Sequence, residues 1–81
     1  MDRALSRGVA ATIRQFRQAK EMSQETLAAR AGLDRTYISG VERGVRNITL
    51  DSLESIVEAL EVDWSAFLQA VGDNISNVGA R

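Results

Sequence analysis

Apolar residues recur near the start of the chain at Leu5, Val9, Ile13 and Phe16, steps of four, four and three that share one stripe of a helix. Arg7, Arg14 and Gln18 fall outside the stripe, so the pattern predicts an amphipathic helix over about Leu5–Lys20 with those three in solvent. Ser23 follows, its hydroxyl placed to accept a free amide of a second helix running from Gln24 to about Ala31. Glu25 lies in that helix's first turn, where the macrodipole favours an acid, and Leu27, Ala28 and Ala31 are its buried residues. Gly32 suits the left-handed residue that ends a helix. Leu33 bridges, and Asp34 suits the N-cap of a third helix, Arg35 to Arg43, with Ile38 and Val41 facing inward. Gly44-Val45-Arg46-Asn47 reads as a loop. Thr49 caps a fourth helix whose inward side is Leu50, Leu53, Ile56, Val57 and Leu60, and Asp63 a fifth carrying Trp64, Phe67, Leu68 and Val71. From Gly72 the composition turns to Gly, Asn, Ser and Asp, which predicts a frayed tail over 72–81.

The 81 residues allow one all-α domain, and the absence of proline fits helices better than a turn-rich β fold. Without cysteine or histidine there is no thiolate nucleophile and no imidazole base or metal ligand, and Ser, Asp and Glu form no nucleophile–base set. The reading is therefore not an enzyme, with no metal, no cofactor and no small-molecule ligand. Asp2, Arg3, Arg7, Arg14 and Arg17 interrupt Met1 to Ala19, which excludes a signal peptide there, and no apolar run reaches membrane-span length. A soluble cytoplasmic protein is expected.

Net charge is −1, but it is unevenly spread. Residues 1–46 hold nine Lys/Arg against five acids, and residues 47–81 hold Arg81 against six acids. One face can thus be positive on a protein that is acidic as a whole; ordinary surface patterning is the competing reading.

The segment of about 24–43 has the layout of a helix-turn-helix: Ala28 where two helices cross, Gly32 at the turn, and Ile38 and Val41 pinning the second helix. A generic helical corner has the same geometry. The stretch IRQFRQAKEMSQETLAARAGLDRTYISGVERGVRNITLDSLESIVEALEV resembles the Cro/C1-type (XRE) helix-turn-helix family, and is especially similar to the controller proteins of restriction–modification systems through its LDRTYISG-x-ER…RN-x-T run.

The resemblance implies a five-helix lambda-repressor-like domain with Arg35–Arg43 in the major groove of operator DNA. Arg35, Thr36, Tyr37, Ser39 and Gly40 would be its exposed positions. Arg35 suits bidentate bonding to guanine, Thr36 a base edge or a thymine methyl, and Tyr37 a base, a phosphate or a sugar. Partial packing on a neighbouring helix is the other reading of Tyr37. At Gly40 a Cβ would meet the DNA or displace Tyr37, unless the glycine is merely tolerated. Gln24, Ser39, Arg43, Arg46 and Asn47 are the backbone-phosphate candidates, with Arg46 also suited to a narrow minor groove. Arg17 and Glu42 form a structural pair in this family.

Helix five carries more apolar surface than so small a domain can cover. A homodimerisation region of about 50–71 is expected, with Leu53, Val57, Trp64, Phe67, Leu68 and Val71 at the interface; completion of the monomer core is the alternative. A symmetric dimer requires a pseudo-palindromic operator. The resemblance extends to autoregulation and to RNA polymerase as a partner, with acidic residues such as Glu25 available to touch it. A phage or mobile-element repressor, an antitoxin, and a protein-interaction module that keeps the fold without binding DNA are the alternative readings.

Overall fold

Local chemistry sets the helix ends largely where the pattern places them. The computed structural model describes residues 3–79, and within them the chain forms five helices: α1 Ala4–Ala19, α2 Gln24–Ala31, α3 Arg35–Glu42, α4 Leu50–Leu60 and α5 Trp64–Gly79. Ser23 Oγ accepts from the Thr26 amide at 2.9 Å, Thr49 Oγ1 from the Ser52 amide at 3.0 Å, and a carboxylate oxygen of Asp63 from the Ala66 amide at 3.2 Å. Each satisfies an amide that the first turn leaves without a helical partner. Asp34 is the exception: it stands at the N-cap of α3, yet its side chain makes no capping bond. Gly32 has φ +71°, and a side chain there would be strained by its own Cβ.

The core is a single cluster in which Ile13, Leu27, Ile38, Ile56, Leu60 and Phe67 are fully buried. α2 packs on α3 and on α4, while α1 runs against α5 and also meets α3 and α4. The Phe16 and Phe67 rings stack at 6.0 Å, and Trp64 meets Phe67 edge-on at the same separation.

Four expectations need correction. The tail expected from Gly72 is helix as far as Gly79; residues 80–81 lie outside the described residues. Its weak local propensity is overridden by packing along α1. Gly8 lets α5 approach so closely that a Cβ there would lie 2.6 Å from Cγ1 of Ile75 and 3.2 Å from the Val71 carbonyl oxygen. One turn further on, the Asn74 amide donates to Oγ1 of buried Thr12 at 2.8 Å and to Oε1 of Gln15 at 3.1 Å.

Leu5 and Leu50 were expected inside and are 65% and 79% exposed. Each stands in the first turn of its helix, ahead of the turns that enter the core. Ala31 is only half-buried. Finally, Val57, Phe67 and Val71 were expected at a dimer interface and are instead buried within the protomer's own core, with Leu53 half-buried against it. The monomer covers Phe67 and Val71 because α5 packs back along α1, and Val57 of α4 lies in the same core cluster. Trp64 and Leu68 remain at the surface, 38% and 56% exposed.

Candidate nucleic-acid interface

The helix-turn-helix is rigid because its inner side is buried. Leu27 and Ala28 of α2 and Ile38 and Val41 of α3 enter the core, and the turn is closed by the Leu33 amide bonding to the Ala28 carbonyl at 2.9 Å. This leaves Arg35 and Thr36, in the first turn of α3, exposed. Arg43, Arg46 and Asn47 are exposed just beyond the other end of the helix, and Ser39 is half-buried between. The sequence-predicted residues are thus gathered along α3 and its flanks.

Gly40 is not where the sequence reading put it, and Tyr37 takes the packed position that was the other reading of it. Gly40 is buried, and a Cβ there would lie 3.3 Å from Cβ of Arg46 and 3.8 Å from Cγ2 of Val45. The glycine admits the Val45–Arg46 loop onto α3 rather than a base onto the helix, and the loop is tied there by the Val45 amide to the Gly40 carbonyl at 3.0 Å. Tyr37 is half-buried against the core; its hydroxyl is buried without a partner among the described residues, and the Arg46 guanidinium lies 5.2 Å from its ring centroid. Tyr37 and Arg46 therefore form one unit, a cation held over an aromatic face.

Behind this surface lies the Arg17–Glu42 pair. Arg17 Nε and Nη2 donate to the two carboxylate oxygens of Glu42 at 2.7 and 2.9 Å, a bidentate arrangement, and Nη1 donates to the Met22 carbonyl at 2.8 Å. The two side chains are 11% and 3% exposed. Gln24 joins them, its Nε2 donating to Glu42 at 3.0 Å. Gln24 was read from sequence only as a phosphate ligand. In the fold one end of its amide fastens α2 to α3.

One feature of this region escaped the sequence reading. The Arg3 guanidinium donates to the Asn47 side-chain oxygen, bringing the N-terminal end of α1 against the loop after α3. The available signal was the placing of Arg3, Arg7 and Arg14 at steps of four and seven, on one side of the first helix.

A helix that presents Arg35 and Thr36 from its first turn, packed on the preceding helix through Leu27, Ala28, Ile38 and Val41, defines a class, and residues 13–67 match the family described as helix-turn-helix. The chain belongs to that family. Within it, the chain is 55% identical over 51 residues to the control protein C.BamHI of Bacillus amyloliquefaciens, a match spanning 62% of this chain and 63% of that one. It is 41% identical over 64 residues to the control protein C.SmaI of Serratia marcescens, covering 79% and 76%. The crystal structure of the restriction–modification controller protein C.Esp1396I, a tetramer in complex with its natural 35 base-pair operator, superimposes with a TM-score of 0.84 at 44% identity, covering 93% of this chain and 97% of that one. Likeness to the controller proteins is what the LDRTYISG-x-ER run implied. Among the described residues no helix is long and apolar enough to cross a membrane.

Proposed function

We propose that this protein is a sequence-specific, DNA-binding transcription regulator of the restriction–modification controller type, which binds a pseudo-palindromic operator as a homodimer and acts on its own promoter. The observation that carries the reading is the exposure of Arg35 and Thr36 at the leading end of a helix whose other side is locked into the core. The similarity to a controller protein solved on its operator supports it. Arg35 reads a guanine through paired donors, and Thr36 reads the neighbouring base edge. Gln24, through the amide oxygen that Glu42 does not engage, and Ser39, Arg43 and Asn47 fix the register on the phosphates. Arg46 reaches a phosphate or a narrow minor groove by leaving the face of Tyr37, and Tyr37 then offers its freed ring edge and hydroxyl to the DNA. Leu50, Trp64 and Leu68, exposed on α4 and α5, form the apolar part of the dimer contact.

Titration of the protein against the duplex upstream of its own gene tests this. A specific complex that weakens steeply with salt is expected, and its absence at low salt refutes the regulator reading. In the same assay Arg35→Ala is expected to lose about 1–3 kcal/mol of discrimination at one base pair per half-site, with little change on random DNA. Equal losses on specific and random DNA would remove Arg35 from base reading.

A further inference from the structure

A groove of about 360 Å³ runs between α1 and the C-terminal end of α3. Arg7 and Arg14 stand on its α1 side and Arg43 on its α3 side, all three exposed, with the small side chains of Ala10 and Ala11 between the two α1 arginines. Arg7 and Arg14 are seven residues apart, two turns of helix, and so project from the same face about 10 Å apart.

Charge decides what such a groove can hold. The one carboxylate lining it belongs to Glu42, whose two oxygens are already taken by Arg17 and Gln24. Among the described residues, none of Arg7, Arg14 and Arg43 is paired with an acid. Three arginines therefore line one channel without an acidic partner among the described residues, Arg43 making only a 3.4 Å bond from Nε to the Ser39 carbonyl, in a protein whose net charge is −1. Arg43 belongs both to this groove and to the exposed set at the end of α3, and the Arg3–Asn47 bond brings the start of α1 against the loop that carries Arg46 and Asn47. The groove is thus continuous with the DNA-reading face, not a separate patch.

We infer that the α1–α3 groove is a second backbone site for DNA: Arg7, Arg14 and Arg43 hold one phosphate of the strand that passes the C-terminal end of the recognition helix. The inference rests on the proposed function and extends the footprint of each protomer from α2, α3 and their loop to α1. Guanidinium forks suit phosphate oxygens, and alanines on the floor let the backbone sink between the flanking side chains.

The test is the salt dependence of binding by the full chain and by Arg7→Gln/Arg14→Gln, read by fluorescence anisotropy on the gene's upstream duplex. Far-ultraviolet circular dichroism checks that the variant is folded, as expected for two exposed residues without protein partners. Each lost phosphate contact lowers the slope of log K against log salt by about 0.9, so a fall of up to about 2 per dimer is expected, less whatever Arg43 retains, together with weaker binding that is equal on specific and random sequence. A scan with neutral methylphosphonates, one position at a time, is expected to find one position per half-site whose substitution weakens the wild type clearly more than the variant, in which Arg43 alone faces that phosphate. An unchanged slope, or the same methylphosphonate profile for both proteins, overturns the groove site while leaving the regulator reading intact. Failure of the wild type itself to form a specific complex overturns both.

Discussion

Replacing Glu42 with alanine is expected to lower the unfolding free energy by about 3–5 kcal/mol, the usual consequence of leaving one member of a buried ion pair without its partner. Domains of this length have about 4–12 kcal/mol in total, so the variant should be largely unfolded under mild denaturing conditions. The Arg17 side chain, 11% exposed beside Glu42, would be left with the Met22 carbonyl as its remaining partner among the described residues. Gln24 would lose its hold on α3 at the same time. Urea denaturation followed by circular dichroism measures the effect. A loss below about 1 kcal/mol would place the pair with solvated surface bridges. The double replacement Arg17→Met/Glu42→Leu removes both charges together and is expected to recover most of the stability, because desolvating the two ions offsets much of what their attraction contributes. It should nonetheless weaken DNA binding, since Gln24 would no longer be held in register with α3.

Phe67→Ala is expected to cost about 3–5 kcal/mol as well, through the lost transfer energy and the cavity left between Phe16 and Trp64. Leu68→Ser, one residue along the same helix, is expected to leave the protomer within about 0.5 kcal/mol of the parent and to shift sedimentation toward monomer. The contrast follows from burial: Phe67 is enclosed by its own chain, whereas Leu68 is 56% exposed. A Leu68→Ser protein that sediments like the parent at every concentration would move the dimer contact away from α5.

In the proposed complex the groove site, Arg35 and the dimer contact would divide the work of recognition: Arg35 and Thr36 would discriminate bases, the arginines on both sides of α3 would neutralise phosphate, and association of two protomers would set the spacing of the half-sites. Neutralising Arg7 and Arg14 should therefore change affinity without changing which sequence is preferred, the opposite of Arg35→Ala.

The helices were legible in the sequence because their signals are local. Ser23, Thr49 and Asp63 cap the amides of their own first turns, Gly32 ends α2 through its own backbone, and the three-and-four spacing of Ile38 and Val41, or of Ile56 and Leu60, chooses the buried side. The pair of helices from Gln24 to Arg43 follows from these alone; the helix-turn-helix reading and the exposure of Arg35 and Thr36 came from the family resemblance. Tertiary structure decided whatever depends on which helix lies opposite. The Gly72–Gly79 segment is poor in helix formers and is helical because Gly8, Thr12 and Gln15 of α1 receive it. Phe67, Val57 and Val71 read as surplus apolar surface until α5 folds back on α1. Gly40 read as a contact with DNA until the loop after α3 was found resting on it. Spacing along one helix names a face; only packing says whether that face meets the core, a loop, a second protomer or solvent.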